Sequence, residues 1–128
     1  MVIFAEISPG ELIDKITILE IKLERIQDEG KRGNVRRELS VLSATLAAVA
    51  PEGAELTRLR DELKAINLSL WEIEDAIRDQ ERAQNFREIF IDLARAVYRT
   101  NDRRAEVKRR INLLLESELI EEKSYAAY

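Results

Sequence analysis

The chain has 128 residues, a net charge of −4, 45% hydrophobic and 36% charged residues. This length and composition fit a single domain spanning residues 1–128 and exclude a disordered chain. Because cysteine and histidine are absent, disulfides, thiol nucleophiles, Ser–His dyads and thiolate zinc sites are excluded. We expect no membrane span and, with no leader pattern, a cytoplasmic protein.

The first helix is predicted to begin at Pro9. Ser8 supplies a cap, proline occupies the first helical position, and Glu11 stands three residues after the cap. Gly30 and Gly33 predict that this helix ends near residue 29. Its apolar stripe is broad, which indicates a helix that is central or covered by a partner. On this observation we expect a homodimer.

The second and third helices are predicted on either side of Ala50-Pro51. Asn34 predicts the N-cap of the second helix, which ends near Ala50 because proline disfavours a helical residue before it. The third helix begins by Glu55 and ends between residues 82 and 84. Its apolar residues are spaced alternately by three and four, as in a coiled coil or bundle. They are Leu56, Leu59, Leu63, Ile66, Leu70, Ile73 and Ile77.

The fourth helix is predicted to begin after Asn85, with Glu88 in the reciprocal capping position, and to reach Glu116. Short connections between long helices favour antiparallel neighbours. We therefore predict an all-α, antiparallel four-helix bundle with a long hairpin of helices 3 and 4. The apolar residues 2–7 and the segment near residues 119–125 then lie at one end, either paired as short extended strands or frayed.

Helix 4 turns polar in its middle, where Thr100, Asn101 and Arg104 take stripe positions. Such residues either fix the register of a bundle or form a site between helices, and we favour the first interpretation. Asp14 and Lys15 lie among isoleucines on helix 1. If either is buried it needs a partner, which an arginine of helix 4 could supply.

Basic residues are concentrated in the same helix, with seven basic and two acidic residues between positions 95 and 110. Arg95, Arg99 and Arg103, here called the arginine row, share one face because they are spaced by four. Guanidinium groups match phosphate or carboxylate oxygens, so the row suits an anionic partner. We favour the alternative that the row pairs with the acidic helices 1 and 3. The lack of interleaved aromatic residues argues against nucleic acid.

Helix 3 carries the only tryptophan, Trp71, which we expect to pack at a helix–helix edge. Glu72 and Asp75 follow it closely. These two carboxylates are the candidate magnesium ligands, or an acid and base pair, if the chain is an enzyme.

Four stretches carry a resemblance to a known family: ISPGELIDKITILEIK, LWEIED, YRTNDRRA and EKSY. Together they resemble a family of small bacterial and phage helical proteins of unknown function, over nearly the whole chain. The resemblance implies one short domain and no established activity. It marks as motif positions Asp14, Lys15, Thr17, Trp71, Glu72, Asp75, Tyr98, Asn101, Asp102, Arg103 and Arg104.

We predict a non-catalytic helical interaction or scaffolding domain without a cofactor, whose partner is a protein, including a second copy. The alternative is a domain that binds a small phosphorylated or nucleotide-like anion, or a magnesium-dependent enzyme. In that alternative four arginines hold the anion, Tyr98 and Asn101 orient it, and Glu72 and Asp75 hold magnesium. The other candidate ligand-binding residues are Asp14, Lys15 and Trp71, and the four arginines are Arg95, Arg99, Arg103 and Arg104.

Overall fold

A computed structural model describes all residues from 1 to 128 and contains four helices and no strand. The helices are α1 (Pro9–Arg25), α2 (Glu29–Val49), α3 (Ala54–Arg82) and α4 (Glu88–Leu114). Gly10 contacts Asn112, and Asp14 contacts Arg104, so α1 and α4 are antiparallel. The α3–α4 hairpin forms the most extensive helix pair. The predicted all-α bundle with a long hairpin is confirmed.

Helix α1 is the centre of the bundle. It packs against α2, α3 and α4, whereas the α2 backbone neighbours α1 alone. Five of the eleven buried apolar side chains belong to α1. They are Leu12, Ile13, Ile16, Leu19 and Ile21. The broad apolar stripe that suggested a homodimer is therefore covered by the helices of the same chain.

The connection between α1 and α2 differs from the prediction. Helix α1 ends at Arg25, and α2 already begins at Glu29. Gly30 and Gly33, predicted to stop α1, lie inside α2, and no glycine has a positive φ. Glycine lowers helix propensity but does not prevent a helix when a better cap stands before it.

That cap is Asp28, and not the predicted Asn34. Its carboxylate accepts a hydrogen bond from the backbone N–H of Lys31 at 2.9 Å. Arg32 in the first turns of α2 donates to the backbone carbonyl of Leu23. This contact satisfies a carbonyl near the end of α1 that has no partner within its helix. The turn is therefore fixed by two side chains: Asp28 caps the start of α2, and Arg32 binds the end of α1.

The α3–α4 connection ends α3 as predicted but begins α4 differently. After Arg82, Gln84 adopts the left-handed conformation with φ 56°, which ends the helix. The Asn85 side chain accepts from the backbone N–H of Arg87 at 3.3 Å. The N-cap of α4 is Arg87, which makes no side-chain capping bond. The predicted capping box of Asn85 and Glu88 is therefore wrong.

The two ends of the chain do not pair as strands. Residues 1–7 are extended and exposed, with Phe4 at 93% exposure, and make no backbone hydrogen bond to residues 119–128. After α4, Glu116 takes φ 53° and turns the chain back along the helix. Charged side chains of the following residues then contact α4 in place of residues 1–7.

Helix α1 approaches α4 closely at Gly10. The Gly10 N–H donates to Oδ1 of Asn112 at 2.7 Å, which satisfies a free N–H of the first turn. A Cβ atom at this position would lie 2.6 Å from the Lys108 carbonyl oxygen and 2.8 Å from Oδ1 of Asn112. Only glycine therefore fits at this contact.

We expect Gly10→Ala to lower the free energy of unfolding by about 1–3 kcal/mol, because the methyl group meets a helix backbone that cannot yield. Gly33→Ala is the matched control, since no atom lies within 4 Å of its Cβ position. We expect that change to raise the free energy of unfolding by about 0.5–1 kcal/mol through helix propensity. Urea unfolding followed by circular dichroism measures both. Stabilisation of the protein by both substitutions would contradict the close approach of α1 and α4.

Candidate functional site

A buried carboxylate, Asp14, lies at the junction of α1, α3 and α4 with 1% exposure. Its Oδ1 accepts from Nε of Arg104 and from Nδ2 of Asn67, each at 2.9 Å, and its Oδ2 accepts from the same guanidinium. Asn67 also donates to Thr17 Oγ1 at 3.0 Å, and Arg104 lies 3.5 Å from Oδ1 of Asn101. We call these five residues the polar network.

The polar network satisfies its own hydrogen bonds. No buried side-chain nitrogen or oxygen in the chain lacks a partner. The hydrogen bond to Asp14 raises the pKa of Arg104 above its ordinary value, so the guanidinium stays charged. A buried ion pair with matched hydrogen bonds fixes how helices meet. The arrangement supports the interpretation that the polar residues of α4 set the register.

Asn67 was missed in the sequence analysis, although a signal was present. It stands between Ile66 and Leu70, one turn after Leu63, on the apolar face of α3. A buried amide at such a position needs a partner on a neighbouring helix, as the stripe residues of α4 do.

A second charged contact lies one turn closer to the start of α1. The buried Lys108 ammonium lies 2.8 Å from carboxylate oxygens of both Glu11 and Glu121. Burial alone would lower the pKa of Lys108, but hydrogen bonds to these two carboxylates raise it above its ordinary value. Lys15, a predicted ligand residue, is exposed on α1 and lies 4.0 Å from Glu11, outside the polar network.

An open groove of about 470 Å³ lies beside the polar network. It brings together three predicted residues, Trp71, Asn101 and Arg104, and Asp75 also lines it. The Arg104 side chain is 29% exposed, so part of its guanidinium faces solvent. The remaining lining residues are Ile18, Ile21, Asn67, Leu70, Glu74 and Arg78.

The two predicted magnesium ligands, Glu72 and Asp75, have different surroundings. Glu72 accepts a hydrogen bond from Arg25 at 3.1 Å and joins α3 to the end of α1. Asp75 lines the groove instead. No group of three or more acidic side chains in the chain is close enough to hold a metal ion.

The arginine row lies on the outer face of α4, where all three side chains are exposed and none forms an ion pair. The prediction that the row pairs with helices 1 and 3 is therefore wrong. Arg103 lines a groove beside α3 and donates to Thr100 Oγ1 at 3.3 Å, but no carboxylate of α1 or α3 lies within ion-pair distance of the row. The other four basic residues of α4 do pair. They are Arg104, Lys108, Arg109 and Arg110.

Residues 117–128, here called the tail, run back along α4 on a further face of the helix. Glu121 contacts Lys108 at 2.8 Å, and Glu122 contacts Arg109 at 3.5 Å. Lys123 lies 3.3 Å from Oδ1 of Asp102. The sequence signal for this contact was charge complementarity between two adjacent glutamates and the basic end of α4.

An aromatic contact holds the far end of the tail. The Tyr128 ring lies 5.2 Å from that of Tyr98, and the Arg99 guanidinium lies 5.9 Å from the Tyr128 centroid. Polar interaction of Tyr128 with Asp102 raises the pKa of the hydroxyl and lowers the pKa of the carboxyl. Tyr98 therefore faces the tail, whereas Asn101 faces the groove, and the two do not converge on one ligand.

Comparison with known proteins gives a family and no activity. A model of a family of unknown function, DUF6165, matches residues 3–128. No curated protein and no solved structure matches the sequence. None of the helices combines the length and the apolar character that crossing a bilayer requires.

We expect Arg104→Gln to lower the free energy of unfolding by about 3–5 kcal/mol, because Asp14 then stays buried without its countercharge. Arg103→Gln, one residue away and exposed, should change it by no more than about 0.5 kcal/mol. Adding Asp14→Asn to Arg104→Gln should restore part of the loss. Chemical unfolding of the four proteins decides this, and an Arg104→Gln protein as stable as the parent would contradict the role of the pair.

Proposed function

Since the chain belongs to DUF6165, a family of unknown function, the family supplies no activity, and we propose from the geometry that it is a non-catalytic helical interaction domain. Its partner is an acidic protein segment, and the arginine row is the surface that receives it. The family resemblance noted in the sequence is confirmed, while a bacterial or phage origin and a cytoplasmic location stay predictions.

The observation that carries the proposal is the unpaired state of the arginine row. Three guanidinium groups follow each other on successive turns, in a chain whose acidic residues outnumber its basic ones by 25 to 21. Other basic residues without an ion pair stand apart from each other. They are Lys22, Lys31, Arg37 and Arg87. A contiguous row left unpaired despite this acidic excess favours an anionic partner from outside the chain.

The spacing of the row indicates what such a partner looks like. Residues four apart on a helix rise by about 6 Å, so the row spans about 12 Å. Carboxylates at alternate positions of an extended segment are about 6.6 Å apart, close to the rise between successive arginines of the row. Carboxylates four residues apart on a helix have the same rise of about 6 Å. A guanidinium group binds a carboxylate with two parallel hydrogen bonds, which a lysine ammonium cannot do. A row of arginines therefore suits a partner that carries carboxylates.

The polar network supports a non-catalytic role. Asp14 is the one carboxylate of the network, and its donors are Arg104 and Asn67. A general acid or base must reach a substrate proton within hydrogen-bond distance. A carboxylate held by two helices inside the bundle serves the packing of α1 in preference to chemistry.

The groove supports a second candidate function, the binding of a small anionic ligand. Asn101 and Arg104 supply donors, and Trp71 supplies an aromatic surface. Because Trp71 is the only tryptophan, its fluorescence reports on the groove alone. Titration with adenosine monophosphate, with and without magnesium, should change the emission saturably if this function holds. An unchanged emission at millimolar nucleotide would remove it.

A homodimer also stays a prediction, and its interface must use a surface other than α1. Exposed apolar side chains at the closed end of the α3–α4 hairpin offer one such surface. They are Phe86, Ile89 and Ile91.

We expect replacement of the arginine row by glutamine (R95Q/R99Q/R103Q) to weaken binding of fluorescein-labelled octaglutamate by about tenfold or more, about 1.4 kcal/mol. The control K31Q/R37Q/R87Q removes the same charge from scattered, unpaired positions and should change affinity by less than about threefold. Fluorescence anisotropy at low and high salt measures the affinity. Equal losses in both variants would show that net charge alone matters and would overturn the proposal.

A further inference from the structure

The tail is docked on α4 by weak contacts. Its apolar and aromatic side chains stay largely exposed, including Leu119, Ile120, Tyr125 and Tyr128. Two exposed ion pairs, one aromatic contact and a single pair with a buried partner, Glu121 with Lys108, hold the segment. Exposed ion pairs contribute little and are screened by salt. A segment held in this way separates from the helix far more easily than any part of the core does.

The surface under the tail is continuous with the arginine row. We call it the tail strip, and it consists of Tyr98, Arg99, Asp102, Lys108 and Arg109. Arg99 belongs to both surfaces, because the Tyr128 ring lies over its guanidinium while the residue also occupies the middle of the row. An acidic segment that lies along the row therefore meets the tail at Arg99.

The register of the tail explains how so short a segment reaches so far. An extended chain advances about 3.3 Å per residue, against about 1.5 Å in a helix. The six residue-to-residue steps from Glu122 to Tyr128 thus span up to about 20 Å, while the eleven steps from Tyr98 to Arg109 span about 16 Å of α4. An adjacent pair of carboxylates at one end and an aromatic ring at the other match the basic and aromatic ends of the strip.

We propose that the tail is an internal competitor for this surface, and that the partner segment that displaces it has the same chemistry. That segment is extended, with two adjacent carboxylates and an aromatic side chain about six residues further on. The inference rests on the proposed function, because it names the chemistry of the partner and adds a control on its access. Binding then requires release of the tail, which lowers the apparent affinity by the fraction of molecules in which the tail is docked.

The test uses the full chain and two probes, octaglutamate and a labelled peptide with the sequence of residues 117–128. The variant E121Q/E122Q removes two tail contacts with α4 and leaves the strip unchanged. The matched control E116Q/E118Q removes the same charge at two neighbouring glutamates that form no ion pair. We expect E121Q/E122Q to bind the peptide about threefold to tenfold more tightly than the parent, and the control to match the parent within about twofold. A scrambled peptide should bind more weakly.

A second readout follows the tail directly. ¹⁵N heteronuclear NOE values for residues 121–128 should be high in the parent, low in E121Q/E122Q, and should fall in the parent on addition of either probe. Probe binding with the tail still docked, or equal affinities of the two variants, would overturn the competitor role and leave the proposed function standing. Failure of both probes to bind either the parent or E121Q/E122Q would overturn the proposed function, and the competitor role with it.

Discussion

The pairing of Asp14 with Arg104 is the constraint on which the rest of this bundle depends. A carboxylate with 1% exposure is tolerated only where fixed donors replace water, and here two helices provide them. The pair sets both the height and the rotation of α1 against α4. Once that register is set, Gly10 lies directly against α4, and no side chain fits there. Apolar packing alone would allow α1 to slide by a turn, whereas a buried charge does not.

The position of α1 also makes the bundle asymmetric. Helix α1 has 17 residues and α3 has 29, so α1 covers only part of the hairpin that supports it. Helix α1 is about 25 Å long and α3 is about 43 Å long. The closed end of the hairpin therefore has no third helix beside it. Helix α2 contributes just two buried side chains and closes one side of α1. The architecture therefore has a tightly specified centre, where α1, α3 and α4 meet, and loosely covered surfaces around it.

Local signals predicted the fold well, and long-range signals decided the rest. Ser8 and Pro9 start α1 as predicted because a cap acts within one turn. Gly30 and Gly33 misled because Asp28 caps α2 earlier and Arg32 reaches back to α1. The sequence favoured pairing of the arginine row with α1 and α3, but rotation around the helix decides which residues of α4 meet an acid. For the same reason Tyr98 and Asn101, three residues apart, face different neighbours. The contact of Tyr98 with the tail could not be predicted from helical periodicity, because the tail is not part of a helix.

The central place of α1 has a consequence for the order in which the protein is made. The helix with the most buried side chains is made before the other three, yet the residues that donate hydrogen bonds to the Asp14 carboxylate follow some 50 and 90 positions later. Until α3 is made, an isoleucine-rich helix has only α2 beside it, and Asp14 lacks its countercharge until Arg104 of α4 follows. Contacts this distant in sequence slow folding and prolong the exposure of apolar surface. The α3–α4 hairpin, whose two helices follow each other directly in the chain, is then the template onto which α1 closes.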